Sequence, residues 1–427
     1  VGALVLGGIS EDGLRLSDTH GHLGDLTIRT GHDPDKARTF IRRLDLQTGA
    51  VEVSYRHERV RYRREYFASY PDRVIAARYR AVRKGSLTVE LVFSGDGARF
   101  DVAKKRLTLG KVALDLRPKG DRASLNWKDG VLTVAKADEL SFVVAADADG
   151  FEASKHLDSL ALEDVMALYQ RHVPDYQTLF HGMYLTLEGG SKTNLTTSKR
   201  LEAYQKTPEE DPSFEELLFQ YGRYLLICSS REGSSKPLHR RGIWHFPTAG
   251  EVRSERTDTL LQGAYSGARP TQLASCVKHK LVSEPKPLEY ASLRNLLQTT
   301  LQPNLLAEQQ DLVANLALVG GVAAMFARVD DGVLHLMPAL PKNWRDGSVV
   351  GLRTEDHEIA YVWQSGQWLE GYLTSLNGGD VAVRPGVAIE VLRGDRVVPG
   401  VKEQPVGVYR FALGAGDTVL LRALETE

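Results

Sequence analysis

The stretch Asp211-Pro-Ser-Phe-Glu-Glu-Leu-Leu-Phe-Gln-Tyr-Gly-Arg-Tyr-Leu-Leu-Ile-Cys-Ser-Ser230, followed by Arg241-Gly-Ile-Trp244, orders the rest of the chain around it. Asp211-Pro212 has the chemistry of a helix start. An aspartate can accept a bond from an orphan first-turn N–H, and proline tolerates the first helical position. Phe214, Leu217, Leu218, Tyr221 and Leu225 then fall at i, i+3, i+4, i+7 and i+11, so one apolar stripe faces a core. Gly222 and Arg223 interrupt the stripe. A mid-helix glycine costs about 1 kcal/mol relative to alanine, so Gly222 reads as either a site of close helix packing or a tolerated defect.

Outward from this helix the hydrophobic period changes twice, and three regions follow. Residues 1–150 read as antiparallel β: Val51–Tyr55, Val60–Tyr62, Val74–Tyr79 and Leu87–Phe93 alternate or run β-branched between the turn signals Lys84-Gly85, Asp96-Gly97 and Lys128-Asp129-Gly130. Short strands at this spacing predict a sandwich. Within it, the arginines of Arg59-Val-Arg-Tyr-Arg-Arg-Glu65 mostly alternate with apolar residues beside acids, the pattern of a solvated strand face and not of a basic patch. Residues 151–328 have a helical period. Val165, Leu168, Tyr169, His172, Tyr176 and Leu179 make a stripe, with Pro174 expected to kink or break it. His172 and Asp175 could form an oriented imidazole–carboxylate pair, but that spacing on a helix more often caps or pins a neighbour. Residues 329–427 return to strands, at Val333–Leu336, Ile359–Trp363, Trp368–Leu373 and Thr418–Arg422, and predict a small C-terminal β domain.

Composition narrows the function classes. The 427 residues are 42% hydrophobic and 26% charged, with Lys+Arg 54 against Asp+Glu 55 and a formal net charge of −1. That balance gives no reason to expect nucleic acid or an anionic membrane as partner, and a neutral ligand fits better. Two cysteines, Cys228 and Cys276, permit one bridge at most and no cysteine-rich metal site. There is no phosphate-cradling glycine loop and no HExxH-type spacing, so neither a cofactor nor a metal is expected. No apolar run reaches the length of a membrane span, and the chain carries no recognisable targeting segment, which leaves the compartment open. Asn194-Leu-Thr196 matches a glycosylation acceptor by pattern alone.

Several pieces, in order, resemble glycoside hydrolase family 95, the inverting alpha-L-fucosidases. Gly2–Gly8, Leu23–Leu26, Arg43–Leu46, Tyr62–Ser69 and Pro71-Asp72 are similar to the family's sandwich. His172–Tyr176 resembles its linker helix, and Phe219–Arg231 the start of its helical barrel. Pro303–Leu305, Val322–Met325 and Leu334–Pro341 resemble the barrel's end and the C-terminal β domain. The resemblance implies an N-terminal antiparallel β-sandwich, a helical linker with an (α/α) barrel and a C-terminal β domain. It also implies a fucosylated oligosaccharide or glycan as substrate, and it is compatible with a secreted or periplasmic location.

The chain departs from the family where the chemistry should be. Inverting hydrolysis needs an acid to protonate the leaving oxygen and a base to position water on the opposite face. In the family, asparagines after the Gly-Ile-Trp element hold that water, and an aspartate in a Gln-Ile-Asp-Gly/Ala-Asn segment activates them. Here His245-Phe-Pro-Thr-Ala-Gly250 follows Trp244, and no asparagine lies between Asn194 and Asn295. Asn315 matches the segment's asparagine, while Val313 occupies the aspartate's position. Asp311, two residues away, is the nearest carboxylate. Glu284 lies upstream of Tyr290–Leu297, which resembles a helix downstream of the family's acid, and is not assigned. The candidate residues are therefore Asp311 as acid or base, Asn315 as a water or sugar contact and Trp244 as a stacking platform. A family ring of twelve helices needs roughly 200 residues, against the 178 from Phe151 to Arg328. An incomplete (α/α) barrel, weak or absent turnover and homo-oligomerisation through exposed helix flanks are expected. A non-catalytic carbohydrate-binding relative and a degenerate, internally deleted product are the alternatives.

Overall fold

The computed structural model describes residues 2–7, 22–93, 97–146, 152–160, 164–190, 192–229, 298, 301, 312–404 and 407–424. The chain divides into two units, Val1–Gln177 and Thr178–Glu427.

The first unit begins with strands β1 (Gly2–Gly7), β2 (His22–Arg29), β3 (Arg38–Asp45), β4 (Ala50–His57), β5 (Val60–Ser69), β6 (Val74–Ala81) and β7 (Leu87–Phe93). It continues with β8 (Arg99–Asp101), β9 (Arg106–Leu109), β10 (Val112–Lys119), β11 (Ser124–Lys128), β12 (Val131–Ala137) and β13 (Glu139–Ala146). They form two antiparallel sheets, ordered β1-β2-β7-β12-β11 and β3-β4-β5-β6-β13-β10-β9-β8. The period-two pattern read from the sequence is what packs them. Leu26, Leu91 and Leu132 of one sheet meet Tyr79, Leu114 and Phe142 of the other in a single buried cluster. The Asp-Gly signal is a two-residue hairpin loop: Asp129 (φ 49°) and Gly130 (φ 76°) are both left-handed between the paired residues Lys128 and Val131.

The outer face of the eight-stranded sheet is apolar at one end only. There Phe67, Val74, Ala76, Ala113, Val143 and Ala145 receive helix α1 (Ala153–Ser159) and the first turns of helix α2 (Val165–Phe180). Polar contacts fix the seat. Buried Asp72 accepts from Ser69 Oγ (2.6 Å) and Arg171 Nε (2.8 Å), and Arg106 pairs with Asp115 (2.5 Å) while donating to the Ser154 carbonyl (2.8 Å). His172 bonds to the Thr48 carbonyl (2.8 Å) and stacks on Phe67, so it pins the helix to the β3–β4 turn. Helix α2 runs on through Pro174 without a break, since losing one ladder donor does not undo a helix seated along its length.

The second unit carries β14 (Tyr184–Leu187), helices α3 (Thr197–Lys206), α4 (Pro212–Ser229) and α5 (Leu312–Phe326), then β15 (Ala327–Asp330) and β16 (Val333–Leu336). It ends with β17 (Gly347–Arg353), β18 (His357–Gln364), β19 (Gln367–Ser375), β20 (Gly379–Arg384), β21 (Ile389–Arg393), β22 (Arg396–Val397), β23 (Lys402–Gln404), β24 (Val408–Leu413) and β25 (Thr418–Ala423). Two sheets result, β14-β17-β18-β19-β25-β21-β22 and β15-β16-β20-β24-β23. The region with a helical period is thus not helical throughout. Leu185 and Leu187 alternate into the core, and β14 pairs antiparallel with β17 across about 160 residues of sequence. Gly351 (φ +73°) permits that approach, because a Cβ there would lie 2.0 Å from the Gly182 carbonyl. Helices α4 and α5 pack together, with Phe214, Leu218 and Leu225 of the sequence-read stripe buried. The incomplete helical ring expected of 151–328 falls in part on residues outside those described, 230–297 and 302–311 among them.

Candidate functional site

Helix α4 opens on three carboxylates, and each is already engaged. Asp211 was expected to cap the helix through a first-turn N–H. Its carboxylate instead takes both arms of the Arg200 guanidinium (2.7 and 2.6 Å) and the Ser213 hydroxyl (3.0 Å), a fully buried forked pair. Glu215 accepts from Tyr204 Oη (2.5 Å) and from Trp344 Nε1, joining α3, α4 and the segment before β17. Glu216 accepts the Leu187 N–H (2.9 Å) at the free edge of β14. Burial pushes the Glu216 carboxyl above its ordinary value, partly offset by that bond and by the Arg200 charge. Asp211 and Glu215, each bonded to two or more side chains, join α3, α4 and the segment before β17, and Glu216 ties α4 to the edge of β14.

Arg223, which interrupted the apolar stripe, is 2% exposed. It donates to the carbonyls of Met183 (2.6 Å) and Phe180 (2.9 Å) and to Gln220 Oε1 (2.8 Å), and it lies over the Phe180 ring. It therefore ties helix α4 to the Phe180 carbonyl at the end of α2 and to the Met183 carbonyl just before β14. Apart from Gln220–Arg223 and Asp211–Ser213, these contacts were not readable locally. Glu215 and Trp344 lie 129 positions apart, and Arg223 is 40 from Met183. A further local signal was Arg200 and Tyr204 at i, i+4 on α3, which puts both on the face that meets α4.

Of the sequence-derived site residues, Asn315 stands in the first turns of α5, beside Val313. Trp244 and Asp311 lie outside the described residues, as do His245–Gly250 and Glu284. Among the described residues no group of three or more His, Cys, Asp and Glu side chains is placed to hold a metal, and no helix is long and apolar enough to cross a membrane. Cys228 is exposed, and Cys276 lies outside the described residues.

Open concave surface occurs on the sandwich. A groove of about 460 Å³ is lined by Thr39, Ile41, Glu52, Ser54, Tyr55, Arg61, Arg63, Arg80, Ala81 and Val82. It lies on the outer face of the eight-stranded sheet, beyond the part covered by α1 and α2. Arg43 and Arg63 share Glu52 (2.9 and 3.0 Å), and Arg63 and Arg80 share Glu65 (3.0 and 3.2 Å). This is the solvated face expected for Arg59–Glu65, with one exception. Arg64 points the other way, donating to Tyr55 Oη (2.8 Å) and lying between the Tyr55 and Tyr79 rings. Beneath the groove, His32 bonds to Tyr55 Oη (2.8 Å) and stacks on His57. Burial, then the His57 and Arg64 charges, holds the His32 pKa down to about 4. A second hollow, of about 410 Å³, is lined by Lys192, Lys199, Glu202, Ala203, Lys206 and Thr207.

The comparisons with known proteins match the chain in three successive pieces. Residues 11–153 match the model of the glycosyl hydrolase family 65 N-terminal domain, residues 164–281 the glycosyl hydrolase family 95 catalytic domain, and residues 329–421 the glycoside hydrolase family 95 C-terminal domain. Two of the three matched models are thus of glycoside hydrolase family 95, one catalytic and one C-terminal. The chain is 30% identical over 288 residues to alpha-L-fucosidase 2 of Arabidopsis thaliana, a match covering 54% of this chain and 34% of that protein. Against probable alpha-fucosidase A of Aspergillus niger it is 27% identical over 261 residues, 52% of this chain and 32% of the relative. The chain thus spans about a third of the length of the curated relatives it matches. A putative kojibiose phosphorylase from human microbiome aligns over 93% of this chain and 88% of its own, at 9% identity and TM-score 0.40.

Proposed function

We propose that this chain is an alpha-L-fucosidase-type glycoside hydrolase acting on fucosylated glycans by inverting hydrolysis, with slow turnover. The order of the three matched modules along the chain, together with the fucosidase names of the relatives, carries this reading. The division into sandwich (1–150), helical (151–328) and C-terminal β (329–427) regions belongs to the same reading.

In the reaction, an acid protonates the glycosidic oxygen as the bond to the anomeric carbon breaks, and a base takes a proton from the water attacking the opposite face. Asp211, Glu215 and Glu216 are engaged by Arg200, by Tyr204 and Trp344, and by the Leu187 N–H, so none is assigned to either role. Asp311 is assigned as acid or base, Asn315 as the group orienting water or sugar, and Trp244 as the stacking surface. Val313 at the position where the family carries its activating aspartate is the reason for slow turnover. Purified protein is assayed on a nitrophenyl alpha-L-fucoside and a fucosylated lactose from acid to neutral pH, with the anomer first released read by proton NMR. Release of the inverted anomer, lost in Asp311→Asn, supports the reading. Absence of release from both substrates at every pH overturns it.

The second reading is a non-catalytic carbohydrate-binding relative, favoured by the absence of any asparagine between Asn194 and Asn295. Heat on titration with fucosyllactose, without hydrolysis and dependent on Trp244, would select it.

A further inference from the structure

The outer face of the eight-stranded sheet changes character in cross-strand rows. Next to the helices it is apolar. One row further, Arg43, Glu52, Glu65 and Arg78 stand in register, two cations and two anions. The next row, Ile41, Ser54, Arg63, Arg80 and Glu139, carries two cations and one anion. At the rim, Arg38 pairs with Arg56 and Arg56 with Arg61, and Val82 donates its N–H to the Arg61 carbonyl (3.0 Å). Three arginines therefore stand side by side on adjacent strands with no acid in the row.

Like charges directly opposite each other in a sheet are destabilising, and the row gains nothing for the fold. Of the nearby acids, Glu52 and Glu65 are already shared by Arg43, Arg63 and Arg80, and Glu58 and Asp35 make no ion pair with the row among the described residues. Arg38 is held by the Asp35 and Ala37 carbonyls (2.7 and 3.0 Å). Arg56 and Arg61 are exposed and make no ion pair among the described residues. The register of β3 shifts between Arg38 and Ile41, where Thr39 takes φ 50°. Ile41 there is 58% exposed, its neighbour Phe40 62% and Val82, across the groove, 78%. Cations and bare apolar side chains thus share one rim, with the Ser54 and Thr39 hydroxyls between them.

We propose that this rim and its groove bind a uronic-acid-bearing polysaccharide, its carboxylates on Arg56 and Arg61 and its sugar C–H faces on Ile41 and Val82. The proposal rests on reading the chain as a glycan-active protein and adds the charged class of polymer that it would hold. A planar guanidinium fork matches a carboxylate in two-point contact. Strands about 4.8 Å apart set the three guanidinium bases over roughly 10 Å, the scale of two sugar rings. Nucleic acid fits less well. Three cations on a chain of net charge −1 give little counterion release, and the rim presents no stacking aromatic but Phe40.

The test is calorimetric titration of the full chain with an oligogalacturonate, its methyl-esterified form and a neutral galactan of equal length, at low and moderate salt. Binding of the free acid alone, weakened at least tenfold in Arg56→Gln/Arg61→Gln with an unchanged unfolding midpoint, is the expected result. Arg56→Lys/Arg61→Lys keeps the charge but loses the fork, and an intermediate affinity is expected. No heat with the free acid, unchanged affinity in the glutamine variant, or equal binding of the neutral polymer overturns the proposal. Tighter binding of a heparin fragment or a DNA duplex also overturns it, because the recognised group would then be sulfate or phosphate. Fucoside hydrolysis is measured on the same samples. Uronate binding without hydrolysis leaves this proposal standing and overturns only the hydrolase reading, and hydrolysis without uronate binding does the reverse.

Discussion

Replacing Arg223 by methionine tests the most concentrated structural element of the helical region. The aliphatic stem and its packing are kept, while the guanidinium is removed from a site 2% exposed. Two buried carbonyls, those of Met183 and Phe180, lose donors now at 2.6 and 2.9 Å, and Gln220 Oε1 loses one at 2.8 Å. An orphaned buried acceptor costs about 1–3 kcal/mol. Against that, the folded state no longer carries a desolvated cation, which returns part of the loss. The expected destabilisation is about 3 kcal/mol, well above the range of an ordinary surface substitution. Urea unfolding followed by tryptophan fluorescence is the assay, because Trp344, Trp363 and Trp368 are all buried in the same unit. Arg223→Lys should lose about half as much, since one ammonium can still satisfy some of the acceptors. A loss below about 1 kcal/mol in the methionine variant would refute the assignment of Arg223 as the group that ties α4 to the end of α2.

Three further outcomes are expected. Asp211→Asn strands the Arg200 guanidinium in a buried site and should cost about 3–5 kcal/mol, most of it recovered in Arg200→Met/Asp211→Leu, as read by denaturant midpoints. Gly351→Ala should cost about 2–4 kcal/mol by pushing β17 from the Gly182 carbonyl, whereas Gly332→Ala, equally left-handed but with open space around it, should cost only about 1 kcal/mol by thermal unfolding. Equal losses would deny the close approach of β14. His32 is protonated near pH 6.5 when unfolded but only near 4 in the fold, so the unfolded chain binds more protons in between. Stability is then complete above pH 6.5 and falls as the pH drops toward 4. The full shift corresponds to about 3 kcal/mol, and solvent screening at this half-buried ring reduces the expected loss to about 1 kcal/mol. His32→Phe should flatten that part of the profile relative to the wild-type chain.

The strands were legible because period-two alternation is local. Val51–Tyr55, Val74–Tyr79, Leu87–Phe93 and Ile359–Trp363 all lie inside observed strands, and Asp129-Gly130 makes the expected turn. Helix α4 was legible for the same reason, its 3.6-residue stripe being written in consecutive residues. The partners of its polar groups were not. Asp211 looked like a cap and is half of a buried ion pair, because Arg200 arrives from another helix. Pro174 looked like a kink or a break, and the helix is continuous through it. β14 was lost in a helical stretch because four residues carry too little period to be read, and only pairing with β17 makes them a strand. Arg61, Arg63 and Arg64 look alike in sequence. Alternation in the sheet sends Arg63 into an ion-pair ladder, Arg64 into the sandwich among tyrosines and Arg61 to an unneutralised rim.

By itself, the sequence determined most of the strands, the apolar stripe of helix α4 and the resemblance of its pieces, in order, to glycoside hydrolase family 95. These depend on short-range periodicity and on residue identities in order. Only the tertiary structure decided which charges are satisfied and which face solvent alone. That depends on contacts between residues tens to more than a hundred positions apart, where burial sets the cost of an unpaired group and register sets its neighbour.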